Sequence, residues 1–258
     1  MRRKQLVEFE DQTWFPGFLR NYMTDFLQFI SNRFDIYKGV TPLLSEVIEQ
    51  SGEQTIIDLA SGGGGGLFNL SKRLREKHPD LKIVLTDYYP NLKAFEYVCR
   101  QDRSFQFHKE SVDARLVPAH LKGVRTQFLS LHHFSETDAV QILQNAVDSK
   151  SPIAIFESQE RDVKSVLAMI FSPINVLLMT PFIKPFSIGR IVFTYLIPLV
   201  PLFVMLDGIL SALRTYTIPE MNELISRVKG NENFDWKVGR QKSGPAGVLY
   251  LIGSPKNN

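Results

Sequence analysis

The sequence predicts an α/β fold in which a seven-stranded, mostly parallel sheet is sandwiched by helices and the last strand is antiparallel. Short apolar runs alternate with helical segments between Gln54 and Ser158, which is the pattern of strand–helix–strand units. Near the end of the chain, two runs at Phe234–Gln241 and Val248–Ile252 surround the turn Ser243–Gly247, which predicts an antiparallel pair that closes the sheet. All 258 residues are expected to form a single domain.

Five parallel strands are predicted before that pair, each followed by small or polar residues. Ligands in open α/β sheets bind beyond the carboxyl ends of the strands, so the residues that follow each strand are the candidates for a site. The predicted strands end at Ile57, Leu85, His108, Leu131 and Phe156.

The first predicted strand leads into the stretch TIIDLASGGGGGLFNL, residues 55–70, which contains five consecutive glycines. Helical spacing resumes at Leu67, so the glycines occupy a strand-to-helix turn. Glycine permits positive φ and close approach of a ligand, and the free N–H groups at the start of the helix favour polar or anionic groups. A flexible linker is the alternative, and such a turn also suits a dinucleotide.

Residues Asp58-Leu59-Ala60-Ser61-Gly62-Gly63-Gly64 resemble the first motif of class I S-adenosylmethionine-dependent methyltransferases, an acidic residue followed by alternating glycines. Ala60 stands at the position of the first glycine of that motif. The resemblance implies a Rossmann-like fold that binds S-adenosylmethionine (SAM), with this turn near the methionine and ribose portions. The cofactor-binding residues that it implies here are Asp58, Ala60, Ser61, Gly62 and Gly64.

Two further strand ends match the same family. Asp87 follows the second strand, 25 positions after Gly62, where a carboxylate accepts hydrogen bonds from ribose hydroxyls, and Tyr88 lies beside it. Asp113 matches the acidic residue that holds the amino group of adenine, and Ala114 leaves room for the ring. The alternatives are a helix N-cap for Asp87 and a solvated turn for Asp113.

The segment Leu131-His132-His133-Phe134 is similar to the fourth-strand motif of many small-molecule methyltransferases. Leu131 is assigned to the cofactor site. His132 and His133 are the catalytic candidates, because an imidazole can remove a proton from an acceptor hydroxyl near neutral pH; the alternatives are a turn cap or packing beside the cofactor. Adjacent side chains are expected to project differently, so no metal site is predicted. Glu157, after the fifth strand, is either an acceptor contact or a solvated loop residue.

Residues 1–50 are expected to form an N-terminal helical cap over the cofactor, since apolar residues recur at three- and four-residue intervals from Phe18 to Phe34. Residues 167–213 form an apolar insert with two nearly uncharged runs, Leu167–Phe182 and Ile191–Leu206, both interrupted by prolines. Each run is short for a bilayer crossing, which needs about 20 residues. The insert is therefore interpreted as a lid over the acceptor, a surface that rests on a membrane, or a wholly internal subdomain.

Charge and cysteine content limit the partners and the setting. The net charge is +3, and Lys and Arg are spread along the chain without a basic stripe, so nucleic acid is not an expected partner. Cys99 is the only cysteine, which excludes an internal disulfide and a cysteine-based metal site. With no recognisable signal peptide, the expected location is the cytoplasm, with peripheral contact to the inner face of a membrane through residues 167–213.

Together these motifs predict a SAM-dependent methyltransferase that acts on a small lipophilic acceptor, at oxygen in preference to carbon or nitrogen. Methyl transfer is an in-line displacement, so the protein mainly has to align an electron-rich atom and exclude water. Two alternatives stay open: an NAD(P)-dependent Rossmann-fold oxidoreductase, and a non-catalytic cofactor-binding protein that associates with a membrane.

Overall fold

The computed structural model describes residues 3–243 and 246–256. Within these ranges the chain forms one seven-stranded sheet flanked by helices. The strands are β1 Thr55–Asp58, β2 Lys82–Leu85, β3 Phe105–Phe107, β4 Val124–Phe128, β5 Ile153–Glu157, β6 Phe234–Ser243 and β7 Ala246–Pro255. The helices are α1 Gly17–Arg33, α2 Thr41–Ser51, α3 Leu67–Arg75, α4 Leu92–Gln101, α5 Glu136–Asp148, α6 Val163–Ile170, α7 Ser172–Met179, α8 Ile188–Ile191, α9 Leu199–Arg214 and α10 Ile218–Ser226.

The strand order in the sheet is β3-β2-β1-β4-β5-β7-β6. Strand β1 pairs in parallel with β2 and β4, whereas β7 pairs antiparallel with both β5 and β6. Six strands therefore run in one direction and β7 runs against them, which confirms the predicted sheet and its antiparallel closing strand. Gly244 and Pro245, in the predicted turn between the last two strands, lie outside the described residues.

Two apolar cores lie on the two faces of the sheet. One joins the sheet to α2, α3 and α4 through residues such as Leu44, Leu70 and Phe95. The other joins it to α5 and α10 through residues such as Leu143 and Leu224. Strands β4 and β5 are buried along their whole length and β1 is buried from Ile56 to Asp58, as a parallel sheet covered by helices requires. Strand β4 nevertheless carries three consecutive buried polar residues, Arg125, Thr126 and Gln127.

Strand β4 is shorter than predicted, and the prediction that it reaches Leu131 is wrong. It ends at Phe128 because Leu129 has φ 51°, in the left-handed region where the chain cannot continue as a strand. A 3₁₀ turn, Leu131–His133, follows. Both histidines consequently lie on a turn beyond the carboxyl end of the strand.

Ala60 also has a positive φ, of 56°. It occupies the position where the methyltransferase motif has its first glycine, and a glycine, which has no Cβ, would adopt this φ without strain. The alanine follows β1 directly, in the turn that Asp58 anchors: the Asp58 carboxylate accepts from the hydroxyls of Ser61 and Thr126, at 2.6 and 2.8 Å. The turn is therefore held in a shape that strains its alanine.

A third apolar core lies between α1 and the segment that holds α6 to α9. Leu19, Met23 and Phe26 of α1 pack there against Val176 of α7 and Val200 of α9. Helix α1 is thus covered on one side by the apolar insert.

One buried ion pair fastens this contact. The Arg190 guanidinium, 2% exposed, donates to the Asp25 carboxylate at 2.6 Å and to the carbonyl oxygens of Ile183 and Pro185, at 2.8 and 2.6 Å. Asp25 also accepts from the Asn91 side chain at 3.1 Å. Burial raises the pKa of Asp25 to about 6, against the opposing effect of Arg190, so the carboxylate depends on these partners to stay ionised.

We expect Asp25→Ala to destabilise the protein by about 3 to 5 kcal/mol, because it leaves the Arg190 guanidinium buried without its counter-charge. Chemical denaturation measures the free energy of unfolding. The control is Glu96→Ala, which removes the exposed partner of Arg100 and is expected to cost about 0.5 kcal/mol or less. Equal effects of the two changes would contradict a role for this pair.

We expect Ala60→Gly to stabilise the protein by about 1 kcal/mol, since glycine relieves the positive φ at this position at a partial cost in unfolded-chain entropy. Thermal unfolding of the two proteins measures the difference. Ala154→Gly, in the middle of β5, is the control and should lower stability instead. A destabilised Ala60→Gly variant would show that the turn is not strained there.

Candidate functional site

A cavity of about 370 Å³ opens at the carboxyl ends of β1, β2 and β4. Its walls are the glycine turn, the residues after β2, the segment Val112–Arg115 and the turn after β4, which we call the histidine turn. Helix α1 and the residues before it, 3–16, which we call the N-terminal segment, cover the cavity. Of the residues predicted from the sequence, those that line the cavity are Ala60, Ser61, Gly62, Asp87, Tyr88, Asp113, Ala114 and His133. Those that do not line it are Asp58, Gly64, Leu131 and His132.

Asp58 lies beneath the glycine turn and is 1% exposed. Its backbone carbonyl accepts from Thr86 N and Thr86 Oγ1, at 2.9 and 2.8 Å, in addition to the hydroxyl contacts of its carboxylate. Burial raises the pKa of Asp58 to about 7, against the hydroxyl donors of Ser61 and Thr126. Asp58 therefore shapes the turn from below and does not face the cavity.

The glycine turn lies directly against helix α1 and Tyr37. Gly62, with φ 55°, donates its N–H to the Asp87 carboxylate at 2.7 Å. At Gly66 a Cβ would overlap the ring of Tyr37, so any larger residue would push the turn away from its cover. The run of glycines is thus explained by backbone shape and by close packing, and not by flexibility.

Asp87 stands at the end of β2 and faces the cavity. One carboxylate oxygen accepts from Gly62 N at 2.7 Å and the other from Tyr89 N at 2.8 Å. Burial raises the pKa of Asp87, and these two N–H donors oppose the rise. Each oxygen keeps a second acceptor position, so the carboxylate can still receive two neighbouring hydroxyl donors. Tyr88, beside it, is 52% exposed.

Asp113, which the resemblance assigns to the amino group of adenine, lines the cavity and is bound by Arg115. Its carboxylate accepts from the backbone N–H, Nε and Nη2 of Arg115, at 2.7 to 3.1 Å, and Arg115 also binds Asp138 at 2.8 Å. The Arg115 hydrogen bonds lower the pKa of Asp113. Both oxygens are therefore already satisfied by Arg115, which leaves the backbone around Ala114 as the free hydrogen-bonding surface on this wall.

The sequence predicts a cap by residues 1–50, but none of the cap residues was predicted as part of the site. Glu10 and Asp11 line the cavity, and Arg20, Asn21 and Thr24 of α1 line it beside them. The available signal was a cluster of acidic residues next to aromatic ones before the first helix, a pattern without a recognised motif. These residues reach the site only because the N-terminal segment folds back across the strand ends.

Glu157 and His132 form a buried pair that does not reach the cavity. His132 Nδ1 lies 2.8 Å from Glu157 Oε2, and Leu131 N donates to Glu157 Oε1 at 2.7 Å. Glu157 is fully buried, so both predicted roles for it, acceptor contact and solvated loop residue, are wrong. It fixes the turn that carries the histidines.

His133 faces the cavity and is surrounded by carboxylates. Its Nδ1 lies 2.8 Å from Asp11 Oδ1 and 3.4 Å from Glu8 Oε2, and its Nε2 lies 3.7 Å from Glu10 Oε1. Burial by itself lowers the pKa of His133, but the charges of Glu8, Asp11 and Glu10 outweigh it and raise the pKa to about 10. His133 is therefore an imidazolium at neutral pH.

Burial also raises the pKa of Glu10, to about 8, against the opposing charge of His133. The Glu10 side chain is 13% exposed and borders the cavity. Nearby carboxylates at Glu8, Asp207 and Asp11 add to the rise. Glu10 is thus a titratable group whose proton can exchange near physiological pH.

Arg214, the last residue of α9, lies behind these groups. Its Nη1 is 3.0 Å from Glu8 Oε1 and 2.8 Å from Asp11 Oδ2, and its Nε donates to the carbonyl of His132 at 3.0 Å. The guanidinium side chain is 2% exposed. It therefore supplies the buried positive charge that holds the N-terminal segment on the histidine turn.

The expectation that the two histidines project apart is wrong in this structure. Their ring centroids are 4.3 Å apart, and nitrogens of both rings come within 4.8 Å of a carboxylate oxygen of Glu8. Ligand atoms at this spacing resemble a metal site. However, Arg214 already neutralises Glu8, and Nδ1 of each histidine is at hydrogen-bonding distance from a carboxylate, so ion pairs account for the cluster.

The insert contributes no lining residue to the cavity among the described residues. The interpretation of residues 167–213 as a lid over the acceptor gains no support from the cavity lining and stays a prediction. The insert contacts the site region through Asp207, which accepts from the N–H groups of Phe9 and Glu10 at 2.9 and 3.0 Å. Arg214, the residue directly after the insert, binds the carbonyl of His132.

No protein-family model matches the sequence, and no curated protein matches it. Among solved structures, the chain is similar to the plantazolicin methyltransferase BpumL in complex with SAH, with a TM-score of 0.57 and 11% identity over 93% of this chain and 96% of that one. A BpumL complex with a triazolic desmethylPZN analog and SAH gives a TM-score of 0.58 and 12% identity, over 93% and 97% of the two chains.

Human N-acetylserotonin methyltransferase in complex with SAM is similar with a TM-score of 0.51 and 14% identity. That match covers 98% of this chain and 64% of the human one. At such identities the likeness is one of fold. The strand order, the antiparallel β7 and these neighbours agree, and the chain has the class I methyltransferase fold that its motifs predict.

Proposed function

We propose that the protein is a SAM-dependent methyltransferase that acts on a small lipophilic acceptor at an oxygen atom. The observation that carries the proposal is the cavity around which the fold brings together the glycine turn, Asp87 and the segment around Ala114. These are the positions that the family resemblance assigns to the cofactor. The neighbours of similar fold that are described with SAH or SAM support the same ligand.

The residues present suit this cofactor. The cavity volume of about 370 Å³ is within the range of small-molecule and cofactor sites. Asp87 would accept from the ribose hydroxyls, and the backbone of Ala60 to Gly63 would border the methionine portion. Because Arg115 occupies Asp113, the adenine would be read by the backbone beside Ala114. When bound, SAM supplies an electrophilic methyl group on a sulfonium.

We propose that His133 and Glu10 handle the proton and the charge of the acceptor. His133 is already protonated, so it would stabilise the developing oxyanion, and it would not take up a proton itself. The ionised form of Glu10, which borders the cavity, would accept the proton of the acceptor hydroxyl as the oxygen–carbon bond forms and the carbon–sulfur bond breaks. His132 would act as a positioning residue, because it lies behind the cavity wall.

The antiparallel β7 favours this proposal over the dehydrogenase alternative, in which the sheet would more often continue in parallel. The lipophilic character of the acceptor is proposed from the insert, since an enzyme that rests on a membrane meets substrates dissolved in lipid. We accordingly place the protein in the cytoplasm, in peripheral contact with the inner face of a membrane.

Titration calorimetry with S-adenosylhomocysteine tests the cofactor. We expect the full chain to bind it, and Asp87→Asn to weaken binding by about 10-fold or more, because a hydrogen bond to a charged group contributes about 1.5 to 3 kcal/mol. The matched control is Asp102→Asn, since Asp102 also accepts a backbone N–H, from Ser104 at 2.9 Å, but lies outside the cavity.

Binding of NAD(H) in place of S-adenosylhomocysteine would overturn the proposal in favour of an oxidoreductase. Tight cofactor binding without methyl transfer to any member of a panel of lipophilic phenols and alcohols would favour the non-catalytic alternative.

The charge state of His133 is tested by NMR titration of its imidazole. We expect a pKa near 10 in the natural protein and a decrease of roughly 1 in Asp11→Asn, which removes one of the negative partners. Because the folded state holds this proton more tightly than the unfolded chain, the stabilisation is complete below about pH 6.5 and is lost as the pH rises through 10.

The control for that titration is Asp138→Asn, since Asp138 also lines the cavity but binds Arg115. A His133 that titrates near 6.5 in the natural protein would make it a conventional general base and would remove the assigned roles of both groups.

A further inference from the structure

Exposed apolar side chains are concentrated on the insert. Of the 22 large hydrophobic residues that are exposed in the described chain, 14 lie between Val163 and Leu202, so this exposure is a property of one region. The most exposed are Leu196 at 78% and Ile188 at 73%, followed by Phe182, Val163, Phe171 and Phe186. We call the exposed apolar side chains of residues 163–202 the outer apolar surface.

The insert is apolar on its outer side as well as on the side that packs against α1, unlike an ordinary helical subdomain of a water-soluble domain. Its outward positions are apolar, as at Ile174 and Leu178, whereas Ser172, Thr180 and Thr194 point inward and are buried. Apolar exposure concentrated in one region in this way marks an interaction surface. The interpretation of the insert as wholly internal is therefore wrong.

Charge on this region is of one sign. No Asp or Glu occurs from Val163 to Leu206, and the basic residues are Lys164, Lys184 and Arg190. Arg190 is buried against Asp25, so the exposed charges are the two lysines. An apolar face with lysines and no acidic residue complements a membrane that contains anionic lipids. A second copy of the chain would bring the same positive charges together.

We propose that the outer apolar surface inserts into the interface of a membrane that contains anionic lipids, with Lys164 and Lys184 at the level of the headgroups. This inference rests on the membrane location in the proposed function and names the surface and the lipid class. It describes a monotopic contact, in which the helices lie in the interface and do not cross the bilayer.

The helix geometry supports a contact in the interface. No single helix of the described residues is long and apolar enough to cross a membrane. Two bent pairs reach that length and composition together: Val163–Ile170 with Ser172–Phe182, bent by 43°, and Ile188–Leu196 with Leu199–Arg214, bent by 78°.

The inner side of the second helix pair, Ile188–Leu196 with Leu199–Arg214, is buried against the rest of the protein. Val200 and Val204 pack against α1, Asp207 holds the N-terminal segment, and Arg214 holds the histidine turn. A crossing would expose Asp207 and Arg214 to lipid, where unpaired charges are costly. The insert can therefore place only its outer side in the membrane.

The outer apolar surface lies next to the cover of the cavity. Phe18 of α1, 43% exposed, packs on Phe193 of the insert with ring centroids 4.9 Å apart. Asn21 and Thr24, on the next turn of α1, line the cavity. One helix thus separates the two, so an acceptor dissolved in the membrane would have a short path to the site.

Vesicle flotation of the full chain tests the proposal. We expect the protein to float with phosphatidylcholine vesicles that contain phosphatidylglycerol, and less with pure phosphatidylcholine. The double variant Leu178→Asp/Leu196→Asp should lower the bound fraction at least tenfold. Leu116→Asp is the matched control, because Leu116 is 74% exposed but lies outside the insert, and it should float like the natural protein.

A second double variant tests the contribution of the two lysines to membrane binding. Lys164→Glu/Lys184→Glu should reduce binding to the anionic vesicles and leave binding to pure phosphatidylcholine nearly unchanged. Calorimetry with S-adenosylhomocysteine on every variant shows whether the fold is intact. It also separates the two proposals, since vesicle binding and cofactor binding can fail independently.

A natural protein that stays unbound with both kinds of vesicle would overturn the proposal. So would a lipid-free dimer that Leu178→Asp/Leu196→Asp converts to a monomer, since the surface would then be an interface between copies. Resistance to extraction by alkaline carbonate would overturn the monotopic contact in favour of a spanning one, whereas release by carbonate is the expected result.

Discussion

The buried guanidinium of Arg214 joins three parts of the chain that are far apart in sequence. It belongs to α9, it donates to the carbonyl of His132, and it binds Glu8 and Asp11 of the N-terminal segment. A buried charge is tolerated only while its partners stay in place. The position of the segment over the cavity, the shape of the histidine turn and the end of the insert consequently depend on one another.

The same carboxylates set the chemistry of the cavity. Asp11 and Glu8 each contact both Arg214 and His133. Their charges hold His133 as a cation, and burial raises the pKa of the neighbouring Glu10. An isolated histidine at the end of a strand would titrate near neutral pH and could act as a base. The fold instead places the positive charge of His133 and the exchangeable proton of Glu10 at the edge of the cavity.

The insert has one side that packs against the domain and one apolar side that is exposed. Its inner side carries Asp207, which accepts from the N-terminal segment, and Arg190, which pairs with Asp25, beside apolar residues such as Val176, while its outer side is apolar and exposed. The exposed apolar side chains of the outer side cannot be explained by the packing of the domain alone. The arrangement is consistent with a region that meets a low-dielectric phase on one side and a charged network on the other.

Features fixed by neighbouring residues were accessible from the sequence. The strands, the glycine turn after Asp58 and the position of Asp87 follow from local periodicity and from spacing within one strand–helix–strand unit, so they were predicted and were found. The tertiary structure decided the rest. Glu8 and Arg214 meet across 206 positions, which no local pattern encodes. Arg115 binds the Asp113 carboxylate, and the turn at Leu129 places both histidines beyond the end of β4, because side-chain direction depends on which neighbours the folded chain brings into contact.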